Sequence, residues 1–179
     1  MKLKEFGTRV WDDVYVGIDQ SYTGFAITFL DQNLDHYTTV YKDETSGILR
    51  LHKIKQHLID SLRGRVIRDV AMEGYAFGSQ RANMLGELGG MVKLALFEDF
   101  DLYPLIVPPT VLKKYATGQG TKVSKSQIML SVYKKWGVDL PDDNAADSYV
   151  LARIAKGGYD LVYEKEIVSN LKDPKFREK

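Results

Sequence analysis

Two short apolar runs separated by four residues constrain the fold of this chain more than any other feature. Val14 to Asp19 is β-branched, Gly24 to Leu30 is rich in Phe and Ile, and Gln20-Ser21-Tyr22-Thr23 between them suits a hairpin turn. Leu34 to Lys42, centred on His-Tyr-Thr-Thr-Val-Tyr, predicts a third strand. Three consecutive antiparallel strands therefore open the fold. From there the hydrophobic period lengthens. Ile48, Leu51, Ile54, Leu58, Ile59 and Leu62 recur at helical spacing and predict a helix from about Thr45 to Leu62.

Beyond that helix, strands and helices alternate. Val66 to Glu73 reads as a strand, and Ser79 as the N-cap of a long helix through Phe97. Leu102 to Val107 is a strand stopped by Pro108-Pro109. Ser124 caps a helix carrying Ile128, Met129, Val132 and Tyr133, and Asp142, Asp143 or Asn144 caps another through Ala155. Tyr163 to Leu171 is a last amphipathic segment before a charged tail that is expected to fray. This order points to an α/β protein with a mixed sheet flanked by helices.

Composition narrows the class. Of 179 residues, 44% are hydrophobic and 27% charged, values of a globular chain rather than a disordered one. Without cysteine there is no disulfide framework, thiol nucleophile or Cys-type zinc site. No apolar run reaches the roughly 18 residues of a membrane span, and Met1 to Glu5 carries no signal-like core. The expectation is a soluble, cytoplasmic protein with no membrane partner. It is read as one domain over 1–179, with a core of about 13–156 and a C-terminal helix and tail over 157–179.

Net charge, +1, points to no partner, but its distribution is uneven. Leu102 to Val138 contains no acid and six lysines: Lys113, Lys114, Lys122, Lys125, Lys134 and Lys135. Arg50, Lys53, Lys55, Arg63, Arg65 and Arg68 form a second basic stretch against a single Asp60. Such blocks are either solvated helix faces or the footprint of a phosphate-rich partner. The three histidines, His36, His52 and His57, have no metal-ligand spacing and read as surface residues.

The carboxylates carry the chemistry. Asp19 and Glu73 each end an apolar strand, where an acid gains nothing from burial. At the ends of adjacent strands they would converge at one edge of the sheet. Asp142-Asp143-Asn144-Ala145-Ala146-Asp147 opens a helix, and capping accounts for one of its acids but not for Asp147, one turn inside. Three or four converging carboxylates could not all stay ionised without a counter-charge. Mg²⁺ supplies one, because it is held by a few carboxylates together with phosphate oxygens. Two such ions about 3.5–4 Å apart serve in-line displacement at phosphorus. The acids beside a basic surface thus suggest metal-dependent phosphodiester cleavage.

Three segments carry a resemblance. Gly17-Ile18-Asp19-Gln20-Ser21-Tyr22-Thr23-Gly24-Phe25-Ala26-Ile27 resembles the first hairpin of the RuvC-type Holliday junction resolvases. Ala71-Met72-Glu73-Gly74-Tyr75 looks like their fourth-strand glutamate, and Asp143 to Ala152 is similar to their last catalytic helix. Order and spacing agree over roughly Val14 to Ala155. The resemblance implies an RNase H-like fold, a mixed five-stranded sheet flanked by helices, acting as a homodimer on branched DNA in a bacterial or phage-infected cell. Asp19, Glu73, Asp143 and Asp147 would be the catalytic acids and hold two Mg²⁺ ions, with Mn²⁺ as substitute. Where the family has Asp or His three residues before the last acid, this chain has Asn144, so either Asp143 or Asn144 completes the metal set, and Asp143 is favoured for its charge.

The family also places two lysines eleven residues apart before the last acids, a spacing met by Lys114 and Lys125. Lys113 and Lys122 extend that DNA-binding group. Tyr75 and Phe77 are the candidates for an aromatic wedge at the junction centre. The long helix, with Gly86, Gly89 and Gly90, is the implied dimer element; a kinked core helix accounts for the glycines equally well. Cleavage would leave 5′-phosphate and 3′-hydroxyl ends. A nuclease for flaps or RNA–DNA hybrids, and a junction-binding protein without catalysis, are the rival readings. The Gly-Ile-Asp hairpin also opens nucleotide-binding kinase folds, but no second phosphate loop occurs, so no nucleotide cofactor is expected.

Overall fold

The computed structural model describes residues 13–75 and 82–177. The strands are β1 (Val14–Asp19), β2 (Phe25–Leu30), β3 (His36–Tyr41), β4 (Ile67–Glu73) and β5 (Leu105–Val107). The helices are α1 (Gly47–Leu62), α2 (Ala82–Phe100), α3 (Pro109–Thr117), α4 (Lys125–Trp136), α5 (Asp143–Lys156) and α6 (Val162–Asn170), followed by a 3₁₀ turn at Pro174–Phe176. The sheet runs β3-β2-β1-β4-β5. Its first three strands are antiparallel, and β1, β4 and β5 are parallel. This is the mixed five-stranded α/β architecture expected from the sequence.

Strand alternation sorts the side chains. Val14, Val16 and Ile18 of β1, with Val70 and Met72 of β4, face a core closed by Ile54, Leu58 and Leu62 of α1 and Leu88, Val92 and Leu96 of α2. Ala71 of β4 and Leu105 and Val107 of β5 face the other core, built from α3, α4 and α5. Tyr15, Gly17 and Asp19 alternate onto that second face, and so does Glu73, two residues from Ala71. The period of two thus turns both acids toward α5.

Helix α5 lies against β1, β2 and β4 and is buried along almost its whole length. Gly17 permits the approach, because a Cβ there would run into the Ser148 carbonyl and the Ala152 amide. Within the contact, the Thr28 hydroxyl hydrogen-bonds those of Ser148, at 2.8 Å, and Thr38, at 2.7 Å. Asp142 caps the helix, accepting from the Ala145 amide at 2.9 Å, and pairs with Lys42 at 2.8 Å.

Several local expectations are corrected. Pro109 starts α3 instead of only ending β5, because proline at the first helical position gives up an amide with no helical partner anyway. Helix α2 runs three residues past Phe97, to Phe100, while the expected cap Ser79 lies outside the described residues. The tail does not fray through Arg177. That residue bridges to Leu105 of β5, and its guanidinium holds both Asp69 oxygens, at 2.5 and 3.0 Å. His36 and His57 are half-buried rather than on the surface, against Tyr149 and Thr39 respectively.

The basic residues from Arg50 to Arg68 all have partners. Arg50 is buried and donates to the carbonyls of Tyr22, Asp43 and Thr45. Lys53 pairs with Asp43, Lys55 with Glu98, Arg63 with Asp60 and Arg68 with Asp13. Arg65 donates to the Ser61 carbonyl and stacks over Phe29. No helix among the described residues is long and apolar enough to cross a membrane.

The Gly17 contact gives a direct test of the architecture. Gly17→Ala forces a methyl group into the backbone of α5, and urea unfolding should show a loss at the upper end of the about 1–3 kcal/mol that overpacking costs.

Candidate active site

The C-terminal ends of β1 and β4 lie side by side, the place where parallel sheets leave room for ligands. A cavity of about 390 Å³ opens there. Asp19 enters it from β1, Glu73 from β4, and Asp147 and Asn144 from the first turns of α5. Lys113 of α3 and Lys125 of α4 line the same cavity, with Tyr22 and Tyr75 at its walls. The acids come from three elements separated in sequence and joined by the sheet and the α5 contact.

Burial governs their electrostatics. Desolvation raises the Asp19 carboxyl well above its usual range, the Glu73 and Asp147 charges raise it further, and Lys125 opposes them. Asp147 is pushed up to about 7, chiefly by burial and then by Glu73 and Asp143, with Lys125 and Lys113 pulling the other way. Glu73 is raised by burial against Lys113 and Lys125. The Asp147 Oδ1 oxygen is buried with no hydrogen-bond partner. Such an acceptor, among carboxylates short of positive charge, fits a cation. Among the described residues, no group of three or more acids or histidines is placed to hold a metal ion by itself. The donor set instead suits Mg²⁺, which takes one or two carboxylates and fills its shell with water and phosphate oxygens.

The remaining sequence candidates fall around this cavity or away from it. Asp143 does not line it; its carboxylate pairs with Lys125. Asn144 does line it, its amide nitrogen against Gly24. Lys114 is exposed and outside the cavity, and its neighbour Lys113 takes the place beside Lys125. Lys122 is exposed in the α3–α4 connection, with the left-handed backbone φ of 56°. Tyr75 lines the cavity, while Phe77 lies outside the described residues.

Two participants were missed in the sequence. Gln20 is buried beside Asp19 and donates to the Glu73 main-chain oxygen at 2.6 Å. Arg50 holds the turn that lines the cavity, donating to the Tyr22 carbonyl at 2.5 Å beneath the Tyr22 ring. Position alone signals neither, because both look like ordinary surface residues. Of the three glycines of α2, Gly89 is buried against Tyr75 and Gln20, whereas Gly86 and Gly90 face open space.

No known family profile matches this sequence, and no curated protein does. Solved structures do match. Thermus thermophilus RuvC superposes with a TM-score of 0.63 at 19% identity, covering 92% of this chain and 98% of that one. The T. thermophilus RuvC chain solved in complex with a Holliday junction substrate gives 0.62 at 19% identity, over 78% of this chain and 90% of that one. The chain has a RuvC-like fold. At this identity the likeness concerns the fold, and the chemistry rests on the site.

The raised Asp147 pKa makes stability pH-dependent. The folded state holds the proton up to about 7 and the unfolded state only to its ordinary 3.8, so metal-free protein should lose stability as pH rises across that window. Thermal melts from pH 4 to 8 should show this decline, reduced in Asp147→Asn, and added Mg²⁺ should raise the midpoint at pH 8.

Proposed function

We propose that this chain is a divalent-metal-dependent endonuclease that resolves four-way DNA junctions by paired, symmetric nicks, working as a cytoplasmic, single-domain homodimer. The observation that carries this reading is the convergence of Asp19, Glu73 and Asp147 on one cavity flanked by Lys113 and Lys125, within a RuvC-like fold.

In this reading Asp19, Glu73 and Asp147 hold two Mg²⁺ ions, or Mn²⁺. Asn144 is the better-supported fourth ligand, since it lines the cavity while Asp143 is engaged by Lys125. Two ions held there would lower the pKa of an attacking water and stabilise the leaving oxygen, and the products would be 5′-phosphate and 3′-hydroxyl ends. The chain's own residues do the rest. Asp19 ends a central strand, still paired there with Ala26 of β2, and faces the same cavity as Glu73 and Asp147. Lys113 and Lys125 neutralise the phosphate that enters beside the acids, and Lys114 and Lys122, free of ion pairs among the described residues, extend that positive face along the strand. Tyr75, with Phe77 beyond it in the chain, serves as the aromatic contact for bases at the junction centre.

The homodimer is supported by the outer face of α2. Gly86 and Gly90 are open there, followed by Leu94, 52% exposed, and Phe97, 49% exposed. An apolar stripe with small residues allows close, self-complementary helix contact, and a twofold dimer matches the near-twofold symmetry of a four-way junction.

Two outcomes test the reading. With Mg²⁺ or Mn²⁺, labelled four-way junctions should be nicked in pairs while linear duplex and RNA–DNA hybrid stay intact. Asp19→Asn should reduce cutting on the order of 10³-fold, equivalent to about 4 kcal/mol, and leave junction binding in place. Equal cutting of flaps or hybrids would mark a broader nuclease, and junction binding without cutting a non-catalytic protein. In sedimentation velocity, Leu94→Glu should convert dimer to monomer.

A further inference from the structure

Gln20 is the buried polar side chain at the cavity that this chemistry leaves without a role, at 5% exposed. It sits where backbone support gives out. The parallel pairing of β1 with β4 ends at Ile18 and Met72, one residue short of Asp19 and Glu73. On its far side β4 is held further: Glu73 pairs with Val107, and the Gly74 amide donates to the Val107 carbonyl at 2.8 Å. On the near side, the link at Glu73 is the Gln20 Nε2 donating to its main-chain oxygen. Two carboxylates that repel each other thus leave neighbouring strands at a level bridged by one side-chain amide.

The seat of that amide is equally specific. A carbonyl oxygen only accepts, so Glu73 fixes the amide with nitrogen toward it and turns Oε1 the other way, where it is buried without a donor. A Cβ on Gly89 of α2 would strike both that oxygen and the Tyr75 hydroxyl. Gly89 is therefore the space into which Gln20 fits, at a helix-interior position where alanine would otherwise be favoured by about 1 kcal/mol.

We propose that Gln20 is a positioning residue that sets the spacing of Asp19 and Glu73 by clamping the Glu73 backbone, with the Gly89 notch as its seat. The inference rests on the reading of those two acids as metal ligands. It predicts that metal affinity depends on a side chain that does not touch the metal, as when groups that orient ligands are removed.

The test is a calorimetric Mn²⁺ titration of the full chain without DNA, together with thermal melts. Gln20→Met keeps length and packing but cannot donate, and should weaken Mn²⁺ binding about 10–100-fold. Gly89→Ala, which fills the notch, should weaken it in the same way and carries the test if Gln20→Met does not fold. Unchanged Mn²⁺ affinity in the folded variants, with or without a lower melting temperature, would overturn the positioning role. Wild-type protein that binds no Mn²⁺ would instead overturn the metal-nuclease reading itself.

Discussion

The contact of α5 with β1 at Gly17 organises the rest of the molecule. Helix and strand approach so closely that no side chain fits between them, and the helix is buried from Ala145 to Ala155 at every position but Asp147. That approach fixes how far Asp147 and Asn144 reach over the strand ends. Packing and chemistry meet in one glycine.

The site concentrates negative charge that the fold does not neutralise. Asp19, Glu73 and Asp147 are all held above their ordinary pKa, first by burial, and Lys113 and Lys125 offset that only in part. Elsewhere the molecule treats charge differently. Glu164, fully buried, accepts the Asp160 and Leu161 amides that begin α6 and pairs with Lys135, so it is satisfied on every side. Arg50 is satisfied by three carbonyls. At the cavity, by contrast, the acids are offset only in part, and groups so perturbed cluster at functional sites.

The succession of strands and helices, the antiparallel opening, the cap at Ser124, a cap within Asp142 to Asn144 and the three acids were legible in the residues themselves. Those features are local: periodicity, capping chemistry and an acid closing an apolar strand each need only a few neighbours. The basic stretch from Arg50 to Arg68 stayed open between two readings for the same reason. Spacing marks charge but not the Asp43, Glu98 or Asp13 that consumes it, and those partners come from other elements. The eleven-residue spacing singled out Lys114, whereas the turn of α3 sends Lys113 into the cavity and Lys114 outward.

By itself, then, the sequence determined on which elements the candidate acids and lysines ride, because hydrophobic period and local capping are written in neighbouring residues. Tertiary structure alone decided which of them meet. Asn144 rather than Asp143 lines the cavity, Gln20 reaches across to Glu73, and Gly89 faces inward while Gly86 and Gly90 face out. Each of those outcomes turns on the angle and distance at which a helix seats on the sheet, a property of the whole packed core that no short stretch of chain contains.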